Sequence, residues 1–404
     1  MKRIYLDHAA ATPLDPRVKE AMDPYWSSEF GNPSAIHKEG VTARLAINHA
    51  RGTIAKEIGA HSDEIIFTGS ATESCNLAIV GAVRAWKKDH PDRIPEILVS
   101  AIEHDAVLAP ARLLASEGVR VTYIPVDMEG VIEMGALKSF MTLDTVLVSI
   151  MHANNEIGAI QPIVDVAKVI GKWKKEERGV TRDEAVVGDN RYPLLHSDAS
   201  QSANYLELNV RRLGVDMLTL SSAKIYGPKG IGLLFRARGT PLLPLIHGGG
   251  QESGLRAGTE NLPLIVGFRE ALSIAVASRV HESERLTQLR DMLIGGLQGI
   301  EGVCMNGSLT TRLPNNVNFS LNGADHEFLV LALDAKGIAV STKSACNETD
   351  ADTSHVLSAL VVAGHKGGKS GIRVTLGRST TKEDIETFLS VLRHIIDNLI
   401  VTIK

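Results

Sequence analysis

The chain has 404 residues, of which 44% are apolar and 22% charged, and its formal net charge is −4. This composition is typical of a globular protein, and the length suggests two domains. The charge excludes the broad basic surface of a nucleic-acid-binding protein, and no run of roughly 18 apolar residues could span a membrane. We therefore expect no direct contact with nucleic acid and none with a membrane.

Three cysteines occur, Cys75, Cys304 and Cys346, and none belongs to a CxxC pair. An odd number of cysteines without such pairs argues against a disulfide framework and against a cysteine zinc site. The N-terminus carries basic residues but no apolar segment of the kind found in signal peptides. These features predict a cytoplasmic protein without a metal site.

From the N-terminus to about residue 261, short apolar runs alternate with amphipathic segments. The segments 41–58, 73–87 and 106–117 have the spacing of helices. The apolar runs predict strands at 64–68, 97–100, 119–125, 145–150, 194–198, 217–220 and 232–236. Strands that alternate with helices predict βαβ units and a largely parallel, buried sheet.

After residue 262 the pattern changes. Two long helical patterns, 262–278 and 282–300, come first, and a last helix is predicted over 382–400. Mixed with shorter helices, the strands predicted here are 315–320, 338–341 and 371–376. This mixture is typical of a smaller α+β domain.

The predicted fold class is therefore α/β, with a mainly parallel central sheet flanked by helices and a smaller α+β domain. We assign residues 15–261 to the large domain, and residues 1–14 with 262–404 to the small one. The polar stretch 177–192 lies between two elements, and we interpret it as a surface loop or insertion.

The segment 68–74, with the sequence TGSATES, follows a predicted strand and opens a helix. Its small residues would let backbone N–H groups and hydroxyls approach an anion at the helix N-terminus. Helix capping by Ser70 or Thr72 explains the same residues without a ligand. The residue types alone leave both interpretations open.

Two other polar residues stand at predicted strand ends. His104 lies just past a strand, where a histidine often has only a structural role. Asp198 ends an apolar run, where a buried carboxylate is unfavourable unless it is paired. A protonated heteroaromatic nitrogen would be a suitable partner for Asp198, and an N-cap role is the alternative.

Lys224 follows the strand predicted over 217–220, beside Ser221 and Ser222 and ahead of a Gly-Pro turn. A lysine in the interior has a lowered pKa and can form a Schiff base. Because most lysines lie on the surface, Lys224 becomes a candidate through its neighbours rather than by itself.

Together and in this order, these features resemble the fold-type-I pyridoxal-phosphate (PLP) enzymes. The similarity is greatest to the class V cysteine desulfurases of the housekeeping iron–sulfur type, and it covers nearly the whole chain. The matching positions are 5–13, 31–34, 71–72, 104, 151–158, 198 with 201, 220–232, 248–252, 256–261 and 344–346.

The resemblance implies a PLP site and a role for each of its residues. Lys224 would carry the cofactor and move the α-proton of the substrate, while His104 would stack on the ring and assist. Asp198 would pair with the ring nitrogen, and Asn155 with Gln201 would bind the phenolic oxygen. The residues that would hold the phosphate are Ala71, Thr72, Ser221 and Ser222.

The resemblance also implies contacts beyond the cofactor. Arg373, in the segment GIRVTLG, would bind the carboxylate of L-cysteine as a planar fork, with Asn155 also near the substrate. Thr259 would reach the phosphate bound by the neighbouring subunit, which implies a homodimer.

Cys346 is the candidate sulfur acceptor. It lies among small and polar residues, as a nucleophile on a surface loop would, whereas a structural cysteine would have apolar neighbours. The resemblance implies that its thiolate takes sulfur from L-cysteine, leaving L-alanine and a persulfide. Cys75 lies in a helical pattern and Cys304 near a turn, so neither is a candidate for catalysis.

Cys346 and Arg373 are 27 residues apart, which resembles the desulfurases with a long catalytic loop. We expect such a loop to deliver the persulfide to an acceptor protein, without a separate activator. An iron–sulfur scaffold is the first choice of acceptor, and a tRNA-thiolation carrier is the second.

Two features depart from the family pattern. Ala223 stands where most relatives have a histidine that contacts the phosphate, so one polar contact is expected to be missing. The stretch 177–192 also looks longer than usual.

Three other functions are alternatives to cysteine desulfuration. Selenocysteine lysis and transamination are rival reactions of class V, and transamination needs no thiol such as that of Cys346. The alternative that is not an enzyme is a protein that retains the fold but has no catalytic activity. Ala223 gives this alternative some support.

Overall fold

A computed structural model of the chain describes residues 3–179, 188–342 and 353–403. The strands are β1 (Ile4–Tyr5), β2 (Ile65–Thr68), β3 (Glu96–Ser100), β4 (Arg120–Ile124), β5 (Thr145–Ser149), β6 (Leu194–Asp198), β7 (Met217–Ser221), β8 (Gly232–Arg236), β9 (Val303–Met305), β10 (Asn316–Leu321), β11 (Ile338–Ala339) and β12 (Ile372–Thr375). The helices are α1 (Pro16–Met22), α2 (Lys38–Glu57), α3 (Ala71–Asp89), α4 (Asp105–Ser116), α5 (Met134–Phe140), α6 (Ile163–Arg178), α7 (Val210–Leu213), α8 (Leu262–Gln298), α9 (His326–Ala335), α10 (His355–Val362) and α11 (Lys382–Ile403).

Seven strands form the central sheet in the order β2-β8-β7-β6-β5-β3-β4. All neighbours pair in parallel except β8, which runs antiparallel to both β2 and β7. Because β8 reverses direction between β7 and β2, the carboxyl end of β2 lies at the same edge as those of β3, β5, β6 and β7. The mainly parallel sheet is as predicted.

Helices cover both faces of this sheet, and the strands are apolar on both sides for that reason. Neighbouring residues of one strand enter different cores, since side chains alternate across a strand. Leu98 belongs to the core beneath α2, α6 and the first half of α8, whereas Ile97 and Val99 pack with α3 and α4.

A second, smaller core lies around the antiparallel sheet β12-β10-β9 and the parallel pair β1-β11. Its apolar residues come from the strands, the second half of α8, α9 and α11, with Phe319 and Phe388 fully buried. The N-terminal strand β1 joins this core by pairing with β11.

The two helical patterns predicted at 262–278 and 282–300 form one helix, so the prediction of two helices is wrong. The first half of α8 buries Phe268 and Leu272 in the large core, and the second half buries Leu286 and Leu293 in the small core. The apolar face changes direction between these halves, where Val280 is 71% exposed. The helical periodicity of the apolar residues is therefore interrupted, although the backbone continues as one helix.

The strands predicted from the sequence are present, and their ends differ by at most two residues. The short strands β1 and β9 were not predicted. The stretch 177–192 begins inside α6 and ends in a 3-10 turn at Gly188–Arg191, while residues 180–187 lie outside the described part of the chain. No helix among the described residues combines the length and the apolarity that a membrane span requires.

Candidate active site

A cavity of about 250 Å³ opens at the carboxyl ends of the parallel strands. Ligand sites of doubly wound sheets lie at this edge. Asp198 and Ser221 are the last residues of β6 and β7, and His104 and Asn155 follow β3 and β5. The predicted site residues that line the cavity are Ala71, Thr72, His104, Asn155, Asp198, Gln201, Ser221, Lys224 and Arg373.

Lys224 ends a 3-10 turn that follows β7. Its Nζ donates hydrogen bonds to the carbonyl oxygens of Ala9 (2.7 Å) and Ala10 (2.5 Å). Gln201 Nε2 donates to the same carbonyl of Ala9 at 3.0 Å. The backbone of the N-terminal segment therefore lines the cavity. The residue types of Ala9 and Ala10 do not predict this contact.

Asp198 is almost fully buried and accepts two hydrogen bonds. Its Oδ1 accepts the backbone N–H of Ser200 at 2.9 Å, and its Oδ2 lies 3.8 Å from Cys75 Sγ. Burial raises the pKa of the Cys75 thiol well above its usual range, and Asp198 raises it further. Cys75 is therefore a neutral donor beneath the site, a role that its helical position in the sequence did not show.

His104 is the N-cap of α4, and its Nδ1 accepts the backbone N–H of Ala106 at 3.1 Å. Burial lowers the pKa of His104, although the nearby Asp198 offsets part of this effect. The ring is therefore neutral at neutral pH, and its proton lies on Nε2 because Nδ1 is an acceptor.

The N-terminus of α3 forms one end of the cavity. Ser70 caps the helix by accepting the N–H of Glu73 at 3.1 Å, so the capping interpretation of segment 68–74 applies to Ser70. Glu73 accepts the Gly69 N–H at 2.7 Å and pairs with Arg256 Nε at 2.9 Å. The helix N-terminus with Ala71 and Thr72 still faces the cavity, where it would attract an anion.

Arg373 is 1% exposed and is held by two acceptors. Its Nη2 donates to Asp7 Oδ1 at 2.8 Å, and its Nη1 donates to the Asn155 carbonyl at 3.2 Å. Its Nε has no hydrogen-bond partner among the described residues. The guanidinium is thus oriented and still has N–H groups available to donate. Asp7 is a neighbour of this arginine that sequence reasoning missed.

Among the described residues, two predicted ones, Ser222 and Thr259, do not line this cavity. Ser222 is buried, and its Oγ has no partner among the described residues. Thr259 is exposed on the chain surface. Cys346 lies outside the described residues. Ala223 is likewise not among the residues that line the cavity, and its carbonyl oxygen accepts the Thr12 N–H at 3.2 Å.

The residues present fit PLP. A phosphate would find the N-terminus of α3 and the Ser221 hydroxyl at the end of β7, and the cavity-lining Ser200 Oγ lacks a partner among the described residues. A pyridine ring would find Asp198 at its nitrogen, and an aldehyde would find Lys224. Buried polar atoms without partners are unfavourable, so a ligand with these groups would stabilise the cavity.

The chain is similar to known proteins over nearly its whole length. The family model Aminotransferase class-V matches residues 4–388. Cysteine desulfurase IscS of Dictyoglomus turgidum is 45% identical over 401 residues, which cover 99% of this chain and 96% of that protein.

Two solved structures are also similar over most of their length. A NifS-like protein superimposes with a TM-score of 0.86 at 35% identity, covering 98% of this chain and 99% of that one. SspA in complex with cysteine gives a TM-score of 0.75 at 35% identity, covering 92% and 98%. The chain therefore belongs to the class-V aminotransferase family and, within it, to the cysteine desulfurases.

Proposed function

We propose that the cavity around Lys224 is where this PLP-dependent desulfurase removes sulfur from L-cysteine, with Cys346 as the sulfur acceptor. The observation that carries the proposal is the convergence of Lys224, Asp198, His104 and Arg373 on one cavity. A base, a carboxylate, a neutral imidazole and a guanidinium are the groups that this reaction needs.

When bound, PLP supplies an electron sink that makes the α-proton of the substrate acidic. Lys224 Nζ, aimed into the cavity by two carbonyl oxygens, holds and moves that proton. Asp198 would hold positive charge at the ring nitrogen, and the neutral His104 would offer its Nε2–H to the reacting groups. Arg373 binds the substrate carboxylate through the donors that Asp7 and Asn155 leave available.

The sulfur-transfer step conserves atoms and electrons. The Cys346 thiolate attacks the sulfur of the substrate, so that an S–S bond forms and the C–S bond breaks. The electron pair of the C–S bond stays on the β-carbon, which takes up a proton as the product becomes L-alanine. Cys346 retains the sulfur as a persulfide.

Cys346 then passes the sulfur to a thiol of an acceptor protein. The naming of the relatives as IscS supports an iron–sulfur scaffold as the acceptor, and a tRNA-thiolation carrier is the second candidate. The working unit is a homodimer. Thr259 is exposed and does not line the cavity of its own chain, which supports a contact with the phosphate bound by a second subunit.

Incubation of the purified holoenzyme with L-cysteine and a thiol reductant tests this function. Sulfide and alanine should form in equal amounts. Cys346→Ser should abolish sulfide production while PLP remains bound, and Lys224→Ala should prevent borohydride from fixing the cofactor to the chain.

Cys304→Ser is the matched control, because Cys304 is a half-exposed thiol on β9, outside the cavity. It should produce sulfide at the rate of the unaltered protein. If Cys346→Ser also keeps that rate, Cys346 is not the acceptor and the proposed function is wrong.

A further inference from the structure

Cys346 belongs to the segment 342–353, and the residues that flank this segment form hydrogen bonds with residues of the active site or beside it. Before the segment, the backbone N–H of Arg373 donates to the Ser341 carbonyl at 2.6 Å, and Ser341 N–H donates back to the Arg373 carbonyl at 3.2 Å. After the segment, Ser354 is the N-cap of helix α10. The N-terminal end of the segment is therefore held by the proposed substrate-binding arginine. The position of its C-terminal end depends on the contacts of Ser354.

Ser354 is held by a buried carboxylate. Its Oγ donates to Glu156 Oε2 at 2.6 Å and accepts the N–H of Leu357 at 3.2 Å, so one hydroxyl both anchors and caps α10. Ser354 is 4% exposed and Glu156 is 2% exposed. Hydrogen bonds to a carboxylate are short and strong, and burial excludes the water that would compete for them.

A second contact joins the start of α10 to the site. His355 Nε2 lies 2.9 Å from the Glu103 carbonyl oxygen and donates a hydrogen bond to it. Glu103 directly precedes His104, just as Glu156 directly follows Asn155. The first turn of α10 thus contacts the backbone beside two residues that line the cavity.

The apolar side of α10 strengthens this attachment. Val356, Leu357 and Leu360 are buried in the core of the central sheet. Ile338 and Val340, which precede the Cys346 segment, are buried in the smaller core. The segment therefore connects two separate cores, and the contact between Ser354 and Glu156 determines where it meets the larger one.

We propose that Glu156 is a positioning residue for sulfur transfer, acting through Ser354 to fix the end of the segment that carries Cys346. The inference rests on the proposed role of Cys346. Transfer requires two sulfur atoms to meet at bonding geometry, and small errors in position reduce such rates by orders of magnitude. Loss of the contact between Ser354 and Glu156 should leave the binding sites for the cofactor and for the substrate carboxylate unchanged, because neither Glu156 nor Ser354 lines the cavity.

Ser354→Asp separates anchoring from helix capping. Aspartate is an N-cap at least as good as serine, but its charge would repel Glu156. We expect the rate of alanine formation in a single turnover without reductant to fall about tenfold or more. The KM for L-cysteine and the affinity for PLP, followed by its absorption, should change less than about twofold.

Adding Glu156→Gln to Ser354→Asp tests the pair directly. Glutamine removes the repulsion and offers an amide donor to the aspartate, so the double variant should recover most of the lost rate. Ser358→Asp, the same change one turn further along α10, is the matched control and should keep the original rate.

Three results would overturn the inference. Ser354→Asp could transfer sulfur as fast as Ser358→Asp, Glu156→Gln could fail to rescue it, or PLP and L-cysteine binding could weaken as much as the rate. Failure of the proposed function is a different result, since it requires that Cys346→Ser remain active.

Discussion

The guanidinium of Arg373, which we propose as the substrate-binding group, is almost fully buried beside the Asp7 carboxylate. Asp7 takes one donor and the Asn155 carbonyl takes another, so the plane of the guanidinium is set before substrate arrives. Ordering the donors in advance reduces the entropy lost on binding. The charge of Asp7 also compensates the burial of the arginine, which otherwise is strongly unfavourable.

Arg373→Lys should weaken binding of L-cysteine. Lysine keeps the charge but loses the planar fork, so it cannot offer a carboxylate two parallel N–H donors. Loss of a charged hydrogen bond corresponds to a rise in the dissociation constant of roughly 10- to 100-fold. Spectral titration of the Cys346→Ser variant with L-cysteine measures this constant without turnover.

Cysteamine, which lacks the carboxylate, is the control ligand for this change. Its dissociation constant should be nearly the same with arginine or lysine at position 373. Equal weakening of both ligands would show that the substitution disturbs the cavity rather than the carboxylate contact.

The residues around this cavity differ in how far they could be predicted from sequence. Asp198, His104 and Lys224 stand at the ends of predicted strands, and the carboxyl ends of parallel strands meet at one edge, so their convergence was predictable. Asp7 and the carbonyls of Ala9 and Ala10 were not, because they reach the site through contacts more than 200 residues apart in sequence. A carbonyl oxygen leaves no signal in the residue type.

Strand β8 and helix α3 meet where we propose that the phosphate of PLP binds. β8 begins at Gly232, which lies against the backbone of Ser70 and Ala71. A Cβ at Gly232 would collide with these backbone atoms, which cannot move as the tip of a flexible side chain can. Because Gly232 has no side chain, the N-terminus of α3 can lie directly against the start of β8.

Gly232→Ala should displace that N-terminus and weaken PLP binding. Overpacking against backbone costs about 1–3 kcal/mol, so the dissociation constant of PLP should rise by about 5- to 150-fold. Equilibrium titration of the apoprotein with PLP, read by absorption, measures the change.

Gly135→Ala is the control for this prediction, since a Cβ at Gly135 in α5 would meet no atom within 4 Å. It should bind PLP as the unaltered protein does. Unchanged affinity in Gly232→Ala would show that the α3 N-terminus does not hold the phosphate.

The long helix α8 illustrates what local patterns miss at the scale of elements. Strands of the central sheet were predictable because each is an apolar run between polar turns. Helix α8 was predicted as two helices because its buried face turns where it passes from one core to the other. Only the tertiary arrangement of two cores explains why the polar region around Val280 and His281 remains helical.

Across the whole molecule, burial has left several histidines neutral. The pKa of both His152 and His196 is lowered by burial from 6.5 to about 4. Burial lowers the pKa of four others as well, which are His8, His104, His326 and His365. Two buried acids have the opposite shift, because burial raises the pKa of Glu103 and of Asp216.

These shifts predict that the fold loses stability as the pH falls from 6.5 toward 4. In that range the unfolded chain binds protons at histidines that the folded chain keeps neutral, so protons favour unfolding. Glu103 and Asp216 oppose this trend because the folded chain retains protons there that the unfolded chain releases above about pH 4. Six histidines outnumber these two acids, so the histidine effect should dominate.

The urea midpoint of unfolding should therefore be lower at about pH 5.5 than at about pH 7.5, with each fully buried histidine contributing on the order of 1 kcal/mol. His152→Gln should reduce the difference between the two pH values, because His152 is buried and its pKa is lowered to about 4. His281→Gln should leave the difference unchanged, since the side chain of His281 is 81% exposed. Equal midpoints at the two pH values in the unaltered protein would contradict the argument, because they would require the two acids to balance all six histidines.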